Sequence, residues 1–525
     1  MAPFRRLLVA NRGEIAIRVI RACRELGIES VAVYSDADAT APHVALADVA
    51  IRIGPAAARE SYLNIASLID AVRRSGAQAV HPGYGFLSEN AAFARAVEEA
   101  GATFVGPPVA TQEALGNKLA ARRAVAAAGV PIVPGLVVPL ADAAIEQAAP
   151  GDGAEASPAL DDGVGELAAV GYPAMLKAAA GGGGRGMRRI DSREELAGAV
   201  AAARREAAAA FGDGALYLER LVSPARHVEV QLIGDRHGGL AVLGERECSV
   251  QRRHQKLVEE TPSPAVTQEI RDALFGSARR VAATVDFHNA ATVEFLLDAD
   301  GNHYFLEMNT RLQVEHGVTE LVTGLDIVAW QIRVAAGEPL DESVLGVEPR
   351  GHAIEARIYA EDPYRDFQPV AGTVTTWRPP QGPGIRVDGA VQPGRPLTPE
   401  YDPLLAKLMV HAADRPAAIA RLRRALDECL VGGLQTDLGF HRWLVEDAAF
   451  VDGSYDTGLV SERWRGGPAL ESAELGLAAL VAVAARADAV GAGPGAGGAG
   501  PGMVARKPAG DSPWARLARR EAIDR

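Results

Sequence analysis

The chain has 525 residues, 48% of them hydrophobic, and a formal net charge of −13. A chain of this length exceeds what one hydrophobic core supports, so we expect three or four subdomains. The acidic balance argues against nucleic acid as a main partner, because nucleic acids are recognised by clustered positive charge.

The cysteines and the apolar segments favour a cytoplasmic protein with no membrane partner. Cys23, Cys248 and Cys429 are odd in number and far apart, so they match neither a disulfide framework nor a zinc-binding spacing. The N-terminus leads straight into an apolar run and lacks the pattern of a signal peptide. The most apolar helical segment, residues 475–485, is too short and too rich in alanine to span a bilayer.

Predicted strands and helices alternate from residue 5 to about residue 118. The apolar run at residues 5–11 is typical of a buried parallel strand, and Ile15, Val19 and Cys23 then recur at helical spacing. Further strands are predicted at residues 30–35, 77–81 and 102–106. The pattern predicts an open α/β unit with a parallel sheet. The turn at Asn11 lacks Gly-x-Gly-x-x-Gly, so a dinucleotide-binding role is not expected.

Residues 81–90, His-Pro-Gly-Tyr-Gly-Phe-Leu-Ser-Glu-Asn, form a turn-rich segment directly after a predicted strand. Open parallel sheets bind ligands at the carboxyl ends of their strands. We therefore interpret the segment as a ligand-binding loop, with a tight structural turn as the alternative.

Four consecutive glycines, including Gly183 and Gly184, follow a predicted strand that carries Lys177. Glycine weakens any strand or helix that it occupies, so such a run indicates a backbone that must approach a ligand closely, and phosphate is the usual ligand. We expect a mobile phosphate lid at residues 181–186, although no Gly-Lys-Ser/Thr of a Walker A loop follows. Residues 139–166 are low in aromatics and are predicted to be a partly ordered insertion without chemistry.

Positive charge is concentrated at residues 247–256 of this acidic chain. His254 and Lys256 lie two residues apart near its end and follow two arginines. The cluster suggests an anionic ligand, and a solvated surface loop is the alternative.

A predicted hairpin brings two carboxylates together. Asp300-Gly301 between two apolar runs is the pattern of a two-residue type I′ turn. Pairing outward from that turn places Glu294 directly opposite Glu307. Facing carboxylates repel unless a cation lies between them, and carboxylate and amide oxygens are the ligands that Mg²⁺ prefers. We therefore predict a metal site formed by Glu294, Glu307 and Asn309.

The segment after Asn309 stays polar at every second position. Arg311, Gln313 and Glu315 would share one face with Glu307 if the strand continued that far. Burying such charges without partners is costly, so the pattern indicates a site, with a solvated edge strand as the alternative.

From residue 351 the pattern changes to strands and hairpins punctuated by proline and glycine, and helices follow. This change predicts a separate α+β module. Arg357 lies on its first strand among core residues, so it needs an anionic ligand, or else a carboxylate in a structural salt bridge. The tail contains an Ala/Leu helix and a glycine-rich linker at 491–502, and carries no evident chemistry.

Five motifs, in this order and at this spacing, resemble those of one family. They are Leu-Val-Ala-Asn-Arg-Gly-Glu-Ile-Ala from Leu8, the ten residues from His81, Gly-Gly-Gly-Gly-Arg-Gly-Met from Gly181, Gln-Arg-Arg-His-Gln-Lys from Gln251 and Glu-Met-Asn-Thr-Arg-Leu-Gln-Val-Glu-His from Glu307. The family is biotin carboxylase, the ATP-grasp subunit or domain of biotin-dependent acyl-CoA and pyruvate carboxylases. The resemblance runs from about residue 4 to about residue 464.

The resemblance implies an α/β and α+β architecture in four parts. An N-terminal open parallel α/β domain would occupy residues 1–118. A central ATP-grasp domain would occupy residues 119–350, with a mobile lid subdomain at about 135–208. The biotin carboxylase C-terminal α+β domain would occupy residues 351–464, and the tail would be 465–525.

The resemblance also implies a role for individual residues in the ATP-dependent carboxylation of biotin by bicarbonate. ATP would be bound by Lys118, Lys177, Gly183, Gly184, Glu219, Arg220, Leu221, Val222, His227, Gln251, His254, Glu294 and Glu307. Mg²⁺ or Mn²⁺ would be held by Glu294, Glu307 and Asn309. Bicarbonate would be bound by Lys256, Arg311, Gln313 and the backbone of Val314. Catalysis would involve Lys256, Arg311, Glu315 as the general base and Arg357 as the group that stabilises the biotin enolate. Residues 311–315 would then be a loop that leaves the strand.

Biotin is expected on another protein or domain, because the chain contains no Ala/Val-Met-Lys-Met sequence. The expected partners are therefore a biotin carboxyl carrier and a carboxyltransferase, and the resemblance suggests a homodimer. The acyl acceptor is not encoded here. The chain departs from the family pattern at Arg220, usually lysine, at Ala180, usually glycine, and in a hairpin before Glu307 that is one residue longer than in some relatives.

Two other functions remain open. One is an ATP-grasp ligase that activates a different carboxylate, as in carbamoyl-phosphate synthase-like chemistry. The other is a nucleotide-binding subunit without catalysis, which would require the loss of catalytic residues. No such loss is evident in the sequence.

Overall fold

The structure is a computed structural model and describes residues 4–135, 170–179, 187–211 and 213–466. Three predicted features lie outside the described residues: the insertion at 139–166, the glycine run at 181–186 with Gly183 and Gly184, and the tail from residue 467.

A five-stranded parallel sheet forms the N-terminal region and confirms the predicted α/β unit. Its strands are β1 (Arg6–Val9), β2 (Glu29–Ser35), β3 (Val49–Gly54), β4 (Ala79–His81) and β5 (Thr103–Phe104). The helices among and after them are Gly13–Glu25, Pro42–Leu46, Ile65–Ser75, Ala91–Glu99 and Val109–Gly116. The strand order is β3-β2-β1-β4-β5. The order reverses between β1 and β4, so the loops after these two strands border a crevice at the carboxyl edge.

The helix Gly13–Glu25 follows the predicted apolar spacing. Ile15, Val19 and Cys23 are buried against the sheet, and the helix ends before Gly27, which has φ +71°. Glycine adopts that left-handed conformation at little cost. Strand β3 was not predicted, because it lies at the sheet edge and buries only one face.

A three-stranded antiparallel sheet lies between the two larger sheets in sequence. Its strands, in spatial order, are β7 (Arg188–Ile190), β6 (Ala174–Ala178) and β8 (Leu216–Arg220). The helix Arg193–Phe211 packs on it through Leu196 and Val200. Lys177 and Glu219 therefore lie on neighbouring strands.

The largest sheet has eight antiparallel strands and spans residues 225–412. They are β9 (Ala225–Gly234), β10 (Leu240–Arg252), β11 (Gln255–Thr261), β12 (Asn289–Asp298), β13 (His303–Asn309), β14 (His352–Tyr359), β18 (Ile385–Gly389) and β19 (Leu404–Ala412). The order is β13-β12-β9-β10-β11-β14-β19-β18. The short strands β15 (Glu361–Asp362) and β16 (Gln368–Pro369) pair with each other, as do β17 (Thr376–Arg378) and β20 (Leu430–Gly432).

The sheet continues across the change of pattern at residue 351. Strand β11 pairs with β14, and Glu259 lies opposite Glu355 in that register. The C-terminal region is therefore joined to the central region by a hydrogen-bonded ladder, which the sequence interpretation of a separate module missed.

The hairpin between β12 and β13 differs from the predicted two-residue turn. Asp298 pairs with Asn302, and its backbone N–H donates to the Asn302 carbonyl at 2.9 Å. Three residues make the connection, and the last, Gly301, has φ +84°. The Asp298 carboxylate accepts from the backbone N–H groups of Asp300 and Asn302 at 3.0 and 2.8 Å, which stabilises the wider turn.

A bulge restores the predicted pairing at the other end of the hairpin. Leu297 pairs with His303, one residue away from the predicted register, but Glu294 pairs with Glu307 as predicted. Leu306 is the extra residue. The wider turn and the bulge cancel, so the predicted pair of facing carboxylates is confirmed although its predicted turn is wrong.

Strand β13 ends at Asn309, and residues 310–315 form a loop before the helix His316–Thr323. Arg311, Gln313 and Glu315 therefore lie on the loop that the family resemblance implied, and the single extended strand is wrong beyond Asn309.

Helices cover both ends of the large sheet. Leu274 and Val281 of the helix Gln268–Ala282 pack under β9 and β12, and Leu422 of the helix Arg415–Glu428 packs under β14 and β19. The remaining helices are Lys118–Ala127, Ile327–Ala335, Glu342–Leu345, Leu438–Leu444, Ala448–Asp452 and Leu459–Arg463. No helix in the described part of the chain is long and apolar enough to cross a membrane.

Candidate active site

One cleft of about 1850 Å³ lies between the loops after β1 and β4, the three-stranded sheet and the eight-stranded sheet. It contains all the site residues predicted from the sequence that the structure describes. They are Lys118, Lys177, Glu219, Arg220, Leu221, Val222, His227, Gln251, His254, Lys256, Glu294, Glu307, Asn309, Arg311, Gln313, Val314, Glu315 and Arg357.

Lys256 stands at the centre of a group of carboxylates. Its ammonium donates to Glu229 at 2.7 Å, to Glu294 at 3.1 Å and to Glu315 at 2.7 Å. Glu229 was not assigned a role from the sequence, although it alternates with core residues on β9. The group shows why so many acids tolerate burial here: each has a cation within hydrogen-bond distance.

Glu315 is fully buried between two cations. One carboxylate oxygen accepts from Lys256 and the other accepts from Arg357 at 3.0 Å. Burial by itself raises the pKa of Glu315, but Lys256, Arg357 and Arg246 outweigh it and hold the pKa well below its ordinary value. Glu315 is therefore ionised at neutral pH, and an anionic ligand that draws Lys256 away would make it a stronger base.

Arg357 has carboxylates on two sides. It contacts Glu315 from the loop and Glu259 from β11. The salt bridge considered from the sequence is therefore present, and Arg357 also lines the cleft. A guanidinium held in this way is already oriented when a ligand arrives.

Two buried acids behind Arg357 were missed by sequence reasoning. Glu259 and Glu355 face each other across β11 and β14, and both are inaccessible to solvent. Burial raises the pKa of both, and that of Glu355 lies well above its ordinary value. Burial therefore favours the protonated form of Glu355. The available signal was its position two residues before Arg357, which places both side chains on one strand face.

Arg311 is fixed by the loop that follows β4. Its Nε donates to Glu89 at 3.0 Å, and the other Glu89 oxygen accepts from the Thr310 backbone N–H at 3.0 Å. Arg311 also donates to Gln313 Oε1 at 2.8 Å and to Asn309 Oδ1 at 3.1 Å. The ligand-binding loop predicted at residues 81–90 thus contributes Glu89 to the cleft.

The predicted metal-binding side chains meet in the same cleft. Glu294 lies 3.0 Å from His227 Nε2 and accepts from Gln313 at 3.3 Å, while Glu307 pairs with Lys118 at 2.9 Å. Two carboxylates and the Asn309 amide oxygen are the donor types that Mg²⁺ takes. The residues present therefore fit a hard divalent cation. Ligand atoms of His227, Glu229 and Glu294 also lie within 4.8 Å of one another.

Cations cluster around Glu219 at the other end of the cleft. Arg122 and Lys177 both contact its carboxylate. Backbone N–H groups of Arg220 and Leu221 donate to the carbonyls of Pro134 and Pro173 at 2.8 and 3.0 Å. These contacts fix the end of β8, and the ammonium of Lys177 lies beside it in the cleft.

The basic cluster forms the tip of the hairpin between β10 and β11. Arg253 and His254 both have positive φ, as in a type I′ turn, and Arg252 pairs with Gln255. Lys256, the next residue, consequently points into the cleft. Burial lowers the pKa of His254. Both interpretations of the cluster are therefore partly right, because Arg253 and His254 are exposed at the tip of the hairpin and both also line the cleft with Lys256.

Lys407 is fully buried beneath the active-site loop and was also missed. Its ammonium donates to the Val314 carbonyl at 2.8 Å and lies 3.2 Å from Glu14. Tyr84 contacts the same Glu14 carboxylate. One residue of β19 thus touches both the loop and the N-terminal region.

Three family models match consecutive regions of the chain. Residues 3–111 match the N-terminal domain of biotin carboxylase, and residues 355–462 match its C-terminal domain. Residues 117–343 match the ATP binding domain described for the carbamoyl-phosphate synthase L chain. The ATP-binding region alone would fit either a biotin carboxylase or a carbamoyl-phosphate synthase. The matches to the two flanking domains favour biotin carboxylase.

A named relative aligns over almost its whole length. Biotin carboxylase 1 of Bacillus subtilis (strain 168) is 46% identical over 454 residues, which are 86% of this chain and 97% of the relative. The alignment therefore covers the N-terminal, central and C-terminal regions together.

Two solved structures show the same fold. The biotin carboxylase domain dimer of Hydrogenobacter thermophilus 2-oxoglutarate carboxylase, in complex with MgADP, ADP and bicarbonate, superimposes with a TM-score of 0.81. The two are 44% identical, and the match covers 87% of this chain and 97% of that one. Pyruvate carboxylase of Rhizobium etli superimposes with a TM-score of 0.79 at 42% identity, and the match covers 88% of this chain but 40% of that longer one.

Proposed function

The chain belongs to the biotin carboxylase family, and from that premise we propose how its cleft carboxylates biotin. The reaction is an ATP-dependent ligation that uses bicarbonate, the first half-reaction of a biotin-dependent carboxylase. The observation that carries the proposal is the position of Glu315, held between Lys256 and Arg357 in the cleft.

Bicarbonate would bind next to Glu315. Lys256, Arg311, Gln313 and the Val314 backbone offer donors around one space, and the contacts of Arg311 with Glu89 and Gln313 support a preformed anion site. Glu315 would accept the bicarbonate proton within hydrogen-bond reach. The oxygen thus freed would attack the terminal phosphorus of ATP and give carboxyphosphate and ADP.

Biotin would react beside Arg357. Carboxyphosphate would break down to CO₂ and phosphate, and this phosphate would accept the proton of the biotin ureido nitrogen before that nitrogen attacks CO₂. The oxyanion that develops on the ureido group would be stabilised by the Arg357 guanidinium, which Glu259 and Glu315 already orient.

The nucleotide would occupy the end of the cleft around Glu219. Lys118 and Lys177 would meet its phosphates, and residues 219–222 with His227, Gln251 and His254 would surround the rest. Gly183 and Gly184 belong to the same proposal as parts of a closing lid. Charge on the transferring phosphoryl group needs these cations, because they stabilise it without reorganisation.

A divalent cation would be held by Glu294, Glu307 and Asn309. Mg²⁺ or Mn²⁺ at these oxygens would neutralise charge on the ATP phosphates. Until ligands arrive, Lys118 and Lys256 balance the two carboxylates.

Both solved structures are, or come from, larger carboxylases, so the same is proposed here. The chain would meet a biotinylated carrier protein or domain and a carboxyltransferase, and would form a homodimer. A cytoplasmic location is supported by its three free, buried cysteines. The acyl acceptor would be selected by the carboxyltransferase.

The test is direct formation of carboxybiotin. The purified chain, a biotinylated carrier, ATP, Mg²⁺ and labelled bicarbonate are expected to give labelled carrier. Glu315→Gln should lower the rate at least about a hundredfold, since it removes the proposed base. Glu428→Gln, on an exposed helix face, serves as the matched control. Labelling that needs no ATP, or an undiminished rate with Glu315→Gln, would contradict the proposal.

A further inference from the structure

Three consecutive carbonyls of the active-site loop each accept a hydrogen bond from a side chain. Arg311 donates to the Leu312 carbonyl at 3.3 Å, and Lys407 donates to that of Val314. The Gln313 carbonyl between them lies 2.8 Å from His316 Nδ1 and also accepts from the His316 backbone N–H at 3.3 Å. The orientation of each of these peptide planes is therefore set by a contact with a side chain.

His316 is the residue of this set with no assigned role. It is fully buried at the first position of the helix His316–Thr323. Burial together with Lys407, Arg18 and Arg386 holds the pKa of His316 well below its ordinary value, so the ring is neutral. A carbonyl only accepts, so Nδ1 carries the proton and Nε2 does not.

The direction of the Gln313 carbonyl fixes the direction of the Val314 backbone N–H. The bond between Gln313 and Val314 is trans, so the Gln313 carbonyl and the Val314 N–H point in opposite directions. The carbonyl points to His316 on the buried side of the loop, while Val314 lines the cleft. Among the described residues, neither a carbonyl nor a side chain accepts from the Val314 N–H. A free donor is thus aimed at the cleft.

We propose that His316 is a positioning residue for substrate: through the Gln313 carbonyl it turns the Val314 amide toward the bicarbonate oxygen. This role rests on the bicarbonate site proposed above. His316 does not touch the substrate itself. Its loss would leave the Gln313 carbonyl with only the longer hydrogen bond from the His316 backbone N–H, so the peptide plane would tilt and the Val314 amide would lose its alignment with the anion.

Three variants of His316 separate positioning from packing. Asparagine places an amide N–H where Nδ1 stands, glutamine places it one bond too far, and leucine fills similar space without a donor. His316→Leu and His316→Gln should raise KM for bicarbonate about ten- to a hundredfold, the range expected when one hydrogen bond to a charged group is lost. His316→Asn should restore most of that loss. KM for ATP should change little in all three.

His43→Leu is the matched control, because His43 is also buried, contacts the Val33 carbonyl and does not line the cleft. It should lower thermal stability and leave KM for bicarbonate unchanged. Bicarbonate-dependent ATP hydrolysis with free biotin provides the assay.

The outcomes distinguish the two proposals. If the unmodified chain hydrolyses ATP without regard to bicarbonate, the proposed function fails. If it depends on bicarbonate but His316→Asn and His316→Gln have the same KM for it, the positioning role is overturned. That comparison stands even if His316→Leu does not fold, since both amide variants keep a polar side chain.

Discussion

Lys407 and Glu355 are buried ionisable residues on neighbouring strands, and we expect their replacement to affect stability very differently. Lys407 keeps its charge and donates to the Val314 carbonyl beside Glu14. Burial favours the neutral form of Glu355 by raising its pKa, and its carboxyl oxygens accept no hydrogen bond from any described residue. A charge with partners is costly to delete, whereas a neutral acid can be replaced by its amide.

We therefore expect Lys407→Met to lower the free energy of unfolding by about 3 kcal/mol or more, because Glu14 and a carbonyl lose their buried partner. Glu355→Gln should change it by less than about 1 kcal/mol. Urea unfolding of both variants, followed by circular dichroism, measures the difference. Equal losses in the two variants would show that Glu355 is charged after all.

At the scale of residues, the sequence revealed those side chains whose spacing is unusual. Glu294, Glu307 and Arg311 are polar where a strand should be apolar. Lys407 was not found, because a single polar residue in an apolar segment has no spacing to interpret. His316 ends a quoted motif but received no role, because it falls outside the alternation from Glu307 to Glu315. Only the folded chain shows which carbonyl each one reaches.

Strand β11 connects two different networks through adjacent residues. Side chains alternate across a strand, so Glu259 faces Arg357, which lines the cleft, while Glu260 faces the opposite side. Glu260 lies 2.6 Å from His352 Nε2 and accepts from Arg415 at 2.7 Å and from Tyr455 at 2.6 Å. The strand therefore links the active site to the helix Arg415–Glu428.

The Glu260 network predicts a specific sensitivity to acid. Burial opposes ionisation, but His352 and Arg415 outweigh it and lower the pKa of Glu260 to about 2. Because the pKa of Glu260 is lower in the folded state, its ionised form stabilises the fold fully at pH values above its ordinary pKa near 4.5. This stabilisation is lost as the pH falls toward 2. The loss amounts to about 3 kcal/mol.

Glu260→Gln should accordingly flatten the decline of unfolding free energy between about pH 5 and pH 3. Urea unfolding at a series of pH values measures that slope. Glu338→Gln, which removes a partly exposed partner of Arg333, should keep the slope of the original chain. If Glu260→Gln has the same slope as the unmodified chain, Glu260 is not the source of the acid sensitivity.

At the scale of elements, periodicity predicted most strands and helices but not the turns that connect them. The hairpin before Glu307 is the clearest case, because the turn is one residue wider than predicted and Leu306 compensates for it. The carboxylate of Asp298 selects the wider turn through local hydrogen bonds. The length of such a turn depends on a few local hydrogen bonds, and a repeating sequence pattern does not reveal them.

At the scale of the molecule, the eight-stranded sheet has no break between the central and C-terminal regions. A chain ending at residue 350 would leave β11 as an exposed edge, and Glu259 would lose Arg357. We expect residues 1–350 to aggregate, whereas residues 1–466 remain monodisperse or form a defined oligomer. Light scattering after size-exclusion chromatography distinguishes the two. A folded, monodisperse fragment 1–350 would show that the ladder is dispensable.

The ladder between β11 and β14 also limits which domain exchanges the protein could tolerate in evolution. A genetic rearrangement that exchanged the region after residue 351 would have to supply a strand that fits β11 in register and an arginine that fits Glu259 and Glu315. Few unrelated segments meet both demands. We therefore expect the central and C-terminal regions to be transmitted together as one evolutionary unit, despite the change of sequence pattern between them.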